Sequence, residues 1–464
     1  MVRDSAGGPS GWLLAATAVL ALGVGLGSFA LIDPNEPVYA QTGIEMLQRG
    51  DWLVPWFHGQ PWFDKPVLFF ALEGAFQAIF GRGALAARLP SALAALLLSW
   101  TLMRTGRRWF GGGAGAWAGF IFMTSLYAAV AGRAAITDMV FTASLLAGVL
   151  GLGEILARPK ASWFPPAVAL ALATLTKGPV VFALLMLQAL GYCLWTRSAA
   201  PLRRGRVWAA VLGGLVLAMP WYIYMASRFR ENFLGEFLGR QNITRYLSPE
   251  HPEAGPLYFL IVLPLMFLPW TFFAARLRTP ASPVPRGEFR PAAYLGTWVV
   301  VVVLFFSVSA SKLVSYVLPA IPALALLLGA GLGRSSAAWR RGALAAGLVS
   351  AVLLASTALF VAPRLVCYYS AAARAHDLRD LGANEDLLIY KGGYPGTLYY
   401  SGRLGTALRG PEDLGAHITG ARPFRLLVRV RHLREIAPYR SRLVEVPGPS
   451  GPWGPGLALF RFQP

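Results

Sequence analysis

Apolar stretches long enough to cross a lipid bilayer recur along this chain and constrain its fold more than any other feature. A transmembrane helix needs about 17–25 largely apolar residues. We place about eleven such segments near 11–32, 86–103, 113–131, 138–156, 161–176, 178–196, 207–227, 254–275, 291–309, 313–333 and 342–363. Charged residues make up only 14% of the 464 residues, against about a quarter in soluble domains. The sequence therefore predicts a mostly α-helical, polytopic integral membrane protein with about eleven transmembrane helices.

The basic residues are concentrated in alternate loops. Sixteen Lys and Arg residues, against one acid, lie in the loops near 104–112, 157–162, 196–206, 276–290 and 333–341. Short loops this rich in Lys and Arg belong on the cytoplasmic side of a membrane. The net charge of +20 is therefore explained by the orientation of the chain in a phospholipid bilayer. No nucleic-acid partner is expected. The remaining loops and everything after residue 363 are then expected on the outer face.

Residues 364–464 differ in character from the apolar part of the chain. The short runs "DLLIY", "FRLLVRV" and "LALFRF" lie between Gly- and Pro-rich turns, a pattern typical of strands. We therefore divide the chain into a transmembrane domain, 1–363, and a small C-terminal α/β domain, 364–464. The two cysteines, Cys193 and Cys367, provide neither a disulfide framework nor a CxxC metal site.

The first outer loop, 33–85, contains amphipathic stretches and many aromatic residues. Aromatic side chains settle at the bilayer interface, so this loop is expected to contain amphipathic helices that rest on the membrane. The segment 67–80 is an ambiguous case, because its apolar run is interrupted by Glu73 and Gln77. These two polar residues favour an interfacial helix over a further span.

Ionisable and polar residues are grouped on the predicted outer face. They are Asp33, Glu36, Tyr39, Asp64, Lys65, Arg133, Asp138, Lys177, His251 and Lys312. Ionisable residues at membrane depth are costly and commonly mark substrate paths or reaction centres. Carboxylates together with cations suit a reaction that orients a nucleophile and neutralises an anionic leaving group.

Each of these residues also has a structural explanation. Asp33 could cap the helix that follows it, because an N-cap carboxylate accepts backbone hydrogen bonds. Lys177 and Lys312 could reach the lipid headgroups from helix ends, and His251 could be an ordinary loop histidine. When each residue is considered alone, the structural explanation is preferred for Lys177 and His251. For Asp33 the structural and the functional explanations are evenly balanced. Taken together, the convergence of two acids and several cations favours a reaction site.

Several of these residues lie in motifs that occur together in one family. "DPNEPVYAQTGIEMLQRGDW…GQPWFDKP…AARLPSAL" resembles the opening of the bacterial GT-C glycosyltransferases related to 4-amino-4-deoxy-L-arabinose lipid A transferase, and more distantly the protein O-mannosyltransferases. Further matches follow in the same order: "ITDMVF", "LTKGPV", "PWYIYM", "RYLSPEHPEAGPLYF", "LPW" and "SASKLVSYVLPAIPAL". The resemblance covers residues 30 to about 325 and leaves out the C-terminal domain.

The resemblance implies a polytopic GT-C fold and the inverting transfer of a sugar from a polyprenyl-phosphate donor to a lipid or glycan acceptor. The reaction would take place on the periplasmic face of the bacterial inner membrane, without a directly bound nucleotide cofactor. By motif position, Asp33 and Asp138 match the catalytic acids, and Lys65 matches the lysine that contacts the donor phosphate. Arg133 and Lys312 are candidates for further phosphate contacts, by location and not by motif.

The resemblance also implies a site for a divalent, zinc-like metal ion. Asp64 and His251 match metal-holding positions, although the family commonly has Glu where this chain has Asp64, and one such pair is a sparse zinc site. Glu36 and Tyr39 are expected to fix the loop of Asp33 and to line the site.

The role of Asp33 depends on the acceptor. It would act as a general base toward a hydroxyl acceptor, and it would only position an acceptor that is itself a phosphate. A transporter or flippase of a lipid-linked anionic substrate is the alternative function. Transporters commonly show repeated halves and charges near mid-span, and neither feature is evident in this sequence.

Overall fold

The computed structural model describes residues 7–244, 255, 257–277, 288–382, 385–392, 394–448 and 456–464. Within it the chain forms two compact units, each assembled from separate segments. The unit that we call the helical unit consists of Met1–Val24, Trp62–Phe69 and Leu89–Ala355. The unit that we call the sheet unit consists of Gly25–Pro61, Phe70–Arg88 and Ser356–Pro464.

The helical unit is built from apolar helices around a core of buried aromatic and aliphatic side chains. Its helices are Gly11–Ala18, most of Ala84–Phe110, Gly112–Thr124, Leu126–Gly132, Thr137–Ala157, Phe164–Lys177, Val180–Thr196, Gly205–Phe233, Tyr258–Met266, Pro291–Val308, Ile321–Gly333 and nearly all of Ala337–Ser356. Trp117, Trp270 and Trp298 are among the largest fully buried side chains. The indole of Trp298 donates to the carbonyl of Pro319 at 2.8 Å, which satisfies its polar atom inside the core.

Six described helices are long and apolar enough to cross a membrane. Two bent pairs also qualify as broken spans: Gly112–Thr124 with Leu126–Gly132, bent by 69°, and Tyr258–Met266 with Trp270–Leu277, bent by 104°. Four more apolar helices are shorter, 10–17 residues. The mostly helical fold with several apolar helices is confirmed, and the total of about eleven spans stays a prediction.

The first apolar helix is shorter than its hydropathy suggested. The segment was predicted to be helical from residue 11 to residue 32, but regular structure ends at Gly23. Val24 takes a ψ of 123°, and Gly25 follows with a φ of 73°, a left-handed conformation that favours glycine. The prediction for the last nine residues of this segment is therefore wrong, because hydropathy does not register a backbone turn.

The sheet unit contains a five-stranded mixed sheet. Its strands are β3 (Asp386–Tyr390), β4 (Thr406–Leu408), β5 (Phe424–Arg429), β6 (Val444–Val446) and β7 (Leu457–Phe462), after a small hairpin of β1 (Trp56–Phe57) and β2 (Gln60–Pro61). The strand order is β4-β3-β5-β7-β6. Strand β3 is parallel to both neighbours, and β7 is antiparallel to β5 and β6. The three apolar runs predicted as strands form the centre of this sheet.

The remaining helices of the sheet unit come from both ends of the chain. They are Asn35–Arg49, most of Leu68–Phe80, Ala362–Tyr369, Ala375–Arg379, Gly396–Ser401 and Pro411–Thr419. The sheet unit thus includes parts of the first outer loop as well as the C-terminal segment. The proposed domain boundary at residue 363 itself stays a prediction.

Two glycines allow the helices Asn35–Arg49 and Leu68–Phe80 to touch through their backbones. A Cβ on Gly43 would lie 2.6 Å from the Gly74 nitrogen, and a Cβ on Gly74 would lie 2.7 Å from the Gly43 oxygen. Glu73 and Gln77, on the second of these helices, are buried. The polar residues that suggested an interfacial helix are therefore part of the interior of the sheet unit.

Candidate functional site

An ion pair joins two helix ends in the helical unit. Asp138 lies in the first turn of Thr137–Ala157, and Lys177 lies in the last turn of Phe164–Lys177. These helices pack closely, since a Cβ on Gly148 would lie 2.5 Å from Leu170 Cδ2. The Lys177 Nζ lies 2.6 Å from the Asp138 Oδ1. A helix dipole favours an anion in the first turn, where Asp138 lies, and a cation in the last turn, where Lys177 lies. Both charges are therefore stabilised by their own helices.

Lys65 adds a second positive charge to this region of the helical unit. Its Nζ donates to both Asp64 Oδ1 and the Asp64 carbonyl, each at 3.0 Å, and its charge acts on the Asp138 carboxylate. Ser315 is a further hydrogen-bonding partner of Asp138. The structure therefore brings together Lys65, Asp138 and Lys177, all of which the sequence placed on the predicted outer face, with Ser315.

The two other proposed phosphate contacts have backbone partners. The Arg133 guanidinium is buried and donates to the carbonyls of Leu20, Ala21 and Val24 at 2.7–2.8 Å. These bonds satisfy the carbonyls at the end of the first helix, so Arg133 has a structural role there. Lys312 Nζ donates to the Ser309 carbonyl at 2.7 Å. A phosphate contact by Arg133 or Lys312 stays a prediction, and the three bonds of Arg133 do not favour it.

Asp33, in the sheet unit, is held by backbone amides from the C-terminal part of the chain. Its Oδ1 accepts from the Gly396 N–H at 2.7 Å, and its Oδ2 accepts from the Ala371 N–H at 2.9 Å. A Cβ on Gly396 would lie 2.5 Å from Asp33 Oδ2. Glycine at this position therefore lets the carboxylate approach the backbone.

Burial makes Asp33 a weaker acid than a free aspartate. Loss of hydration raises the pKa of its carboxyl from 3.8 to about 6, although the two amide bonds and the charge of Arg429 lower it in part. A carboxyl with this pKa changes its charge within the physiological range. Asp33 can therefore accept a proton near neutral pH, which suits a general base, and its amide bonds fix its orientation.

Glu36 has a buried partner that the sequence analysis missed. Its two oxygens accept from Arg88 Nε at 2.9 Å and Arg88 Nη2 at 2.8 Å, a bidentate ion pair. Glu36 also accepts from the Ile32 N–H at 2.8 Å. The ring of Tyr39 lies 5.6 Å from that of Phe70. Glu36 thus holds the chain in place where the helix Asn35–Arg49 begins. The site-lining roles of Glu36 and Tyr39 stay predictions.

The structural explanation was preferred for Lys177 in the sequence, yet the sequence contained a signal for its pairing with Asp138. Consecutive antiparallel helices place the start of one beside the end of the next, which brings Asp138 and Lys177 to one end of the pair. Arg88 had no comparable signal, since Glu36 lies 52 residues away in sequence.

The predicted metal site has no complete ligand set in the part of the chain that the structure describes. There, no three His, Cys, Asp or Glu side chains form a group that could hold a metal ion. His251 lies outside the described residues, and Asp64 pairs with Lys65 at 3.0 Å. Metal binding by Asp64 and His251 stays a prediction.

Comparison with known proteins gives consistent matches. Residues 64–224 match the family described as Dolichyl-phosphate-mannose-protein mannosyltransferase. The undecaprenyl phosphate-alpha-4-amino-4-deoxy-L-arabinose arabinosyl transferase 1 of Pseudomonas fluorescens (strain Pf0-1) is 32% identical over 318 residues, which cover 65% of this chain. The match spans only 54% of the length of that relative.

Solved structures match the whole fold. The crystal structure of ArnT from Cupriavidus metallidurans bound to undecaprenyl phosphate has a TM-score of 0.78 and 23% identity, and the match covers 97% of each chain. An Archaeoglobus fulgidus oligosaccharyltransferase in its apo form matches with a TM-score of 0.58 and 11% identity, covering 91% of this chain and 69% of that one.

These matches confirm the resemblance inferred from the motifs. The chain is a multi-pass membrane protein with a GT-C fold like that of ArnT, and its residues 64–224 are similar to the dolichyl-phosphate-mannose-protein mannosyltransferase family.

Proposed function

We propose that the protein is an inverting glycosyltransferase that moves a sugar from a polyprenyl-phosphate donor to a lipid acceptor. The donor class is suggested by the relative named for undecaprenyl phosphate-alpha-4-amino-4-deoxy-L-arabinose, and lipid A or another glycolipid is the acceptor class. The observation that carries the proposal is the group of Lys65, Asp138 and Lys177 in the helical unit. The periplasmic face of the inner membrane is the proposed location.

The cations of this group suit the leaving group of such a reaction. As the bond between the sugar C1 and the donor phosphate oxygen breaks, negative charge collects on the polyprenyl phosphate. Positive groups placed where charge develops lower the barrier. An ammonium has three donors, and Asp138 is the only hydrogen-bond partner of the Lys177 Nζ among the described residues. Lys177 therefore has donors left for phosphate oxygens while Asp138 holds it in place.

Asp33 is the carboxylate that we assign to the acceptor side. With a hydroxyl acceptor, the proton released as the new C1–O bond forms would pass to the Asp33 carboxylate. With a phosphate acceptor, the attacking oxygen is already anionic and Asp33 would only position it. Both versions invert the configuration at C1 because the acceptor attacks opposite the leaving phosphate.

The proposal is tested by reconstitution of the full chain in liposomes with undecaprenyl phosphate-α-4-amino-4-deoxy-L-arabinose and lipid A. We expect mass spectrometry to detect glycosylated lipid A with the wild-type protein and much less of it with Asp33→Asn, with complete loss if the acceptor group is a hydroxyl. Asp386→Asn, at an exposed position of the same unit, is the matched control and should retain the rate of the wild type. Movement of intact donor across the bilayer without C1–O cleavage would instead support the transport alternative.

The pH profile gives a second test of Asp33. Because the folded-state pKa of Asp33 is about 6, the carboxylate is charged above that pH and becomes protonated below it. For a hydroxyl acceptor, kcat is therefore expected to fall on the acid side with a midpoint near pH 6. A profile that stays flat from pH 5 to pH 8 would contradict a proton-accepting role for Asp33.

A further inference from the structure

A single turn in the sheet unit connects Asp33 with an arginine of the C-terminal segment. The Gly396 N–H binds Asp33 Oδ1 at 2.7 Å, and Tyr394 lies two residues earlier in the chain. The Tyr394 hydroxyl accepts a hydrogen bond from Arg429 Nε. The Arg429 guanidinium also lies over the Tyr394 ring, 5.4 Å from its centroid. Arg429 is thus oriented by the same turn that binds Asp33.

Arg429 is close enough to Asp33 for their charges to interact. Burial raises the pKa of the Asp33 carboxyl, and the positive charge of Arg429 lowers it in part. Burial also raises the pKa of Tyr394; the bond and charge of Arg429 lower it in part, and the Asp33 carboxylate adds to the rise. Tyr394 is only 2% exposed, so its ring is a fixed support for the guanidinium. The arrangement places an oriented cation beside the predicted reacting carboxylate.

The remaining donors of Arg429 have no partner in the described part of the chain. Its Nη1 and Nη2 make no hydrogen bond there, and no described carboxylate lies within ion-pairing distance of it. Three other arginines of the sheet unit are paired with carboxylates: Arg425 and Arg461 contact Glu385, and Arg440 contacts Glu445. Arg429 is half-buried at the end of β5, where a ligand could reach it.

A guanidinium that is fixed through Nε and has both Nη groups available matches the oxygens of a phosphate. Two parallel N–H···O bonds to a phosphate are charge-assisted and geometrically specific. Lys65 and Lys177 of the helical unit are already assigned to the donor phosphate. We propose that Arg429, held by Tyr394, binds a phosphate group of the acceptor lipid beside Asp33. The inference rests on the proposed function, since it requires an acceptor.

Steady-state transfer by the full chain in phosphatidylcholine nanodiscs tests this assignment. With bisphosphorylated lipid A as acceptor, Arg429→Gln is expected to raise the acceptor KM about 10- to 100-fold, the effect of losing a charged hydrogen bond. The donor KM and kcat should stay near the wild-type values. Tyr394→Phe should raise the acceptor KM less, and Arg429→Lys should recover part of the affinity. Arg422→Gln, which removes the same charge from an exposed position, should have no effect.

Equilibrium binding distinguishes the possible sources of the phosphate. Wild-type protein should bind bisphosphorylated lipid A more tightly than enzymatically dephosphorylated lipid A, and Arg429→Gln should abolish this difference. The assignment is wrong if Arg429→Gln instead weakens binding of undecaprenyl phosphate, or if it weakens both forms of lipid A equally. It is also wrong if the effect of the variant appears only when phosphatidylglycerol is included, because the partner is then a lipid headgroup.

The inference and the proposed function fail in different ways. If the wild-type protein forms no glycosylated product with lipid A, the proposed function fails and the inference fails with it. If the product forms and Arg429→Gln leaves the acceptor KM unchanged, only the inference is overturned.

Discussion

The Lys177→Gln variant is expected to transfer sugar about 100- to 1000-fold more slowly than the wild-type protein, the usual cost of removing one group that stabilises developing negative charge. Glutamine preserves much of the length of the side chain and removes the ammonium that lies 2.6 Å from Asp138. The measurement is kcat with saturating donor and acceptor in proteoliposomes. Lys160→Gln, at an exposed position of the helical unit, is the matched control and should keep the wild-type rate.

A structural role of Lys177 would give a different pattern. Removal of one partner leaves the Asp138 carboxylate without its cation, which by itself destabilises a partly buried pair. The double variant Asp138→Asn with Lys177→Gln removes both charges and should recover thermal stability. If activity returns together with stability in the double variant, the pair only supports the fold and the catalytic role of Lys177 is rejected.

The Arg88→Met variant is expected to destabilise the sheet unit by about 3–5 kcal/mol, the cost of leaving a buried charge unpaired. Arg88 is fully buried and satisfies Glu36 together with the carbonyls of Leu26, Phe29 and Ala30. Methionine fills similar volume but donates no hydrogen bond. Intrinsic tryptophan fluorescence during denaturant titration of the full chain in detergent would measure the loss.

Two further variants separate the charge of Arg88 from its shape. Arg88→Lys keeps the charge and loses the bidentate geometry, so its cost should be intermediate. Glu36→Gln combined with Arg88→Met should be less destabilising than Arg88→Met alone. Arg409→Met, at an exposed position, should change stability by less than about 0.5 kcal/mol. An equally small effect of Arg88→Met would show that the pair contributes nothing to the fold.

The parts of the fold that follow from local pattern could be predicted from the sequence. The runs "DLLIY" and "LALFRF" are apolar, short and bounded by turn residues, and they form strands β3 and β7. The apolar helices follow from hydropathy in the same way. The end of the first helix at Gly23 does not, because a left-handed glycine at Gly25 interrupts an otherwise uniform apolar run.

The interactions between distant residues could not be read from local pattern. The pairing of Glu36 with Arg88, and of Asp33 with the amides of Ala371 and Gly396, depends on where remote segments meet. Charged residues were identifiable as unusual, but their partners were not. Lys177 is the exception, since helix order alone places it at the same end as Asp138.

The anchoring of Asp33 has a consequence for how the protein is made. The two amides that bind its carboxylate lie 338 and 363 residues later in the chain. At a synthesis rate of about 5–20 residues per second, the carboxylate waits roughly 15–70 s for these partners to leave the ribosome. The pair of Glu36 and Arg88, separated by 52 residues, can form much sooner. In a nascent chain the outer loop would therefore stay partly assembled until the last quarter of the chain is translated. Stalling before that point would leave a membrane protein with its apolar helices inserted and its sheet unit unfinished.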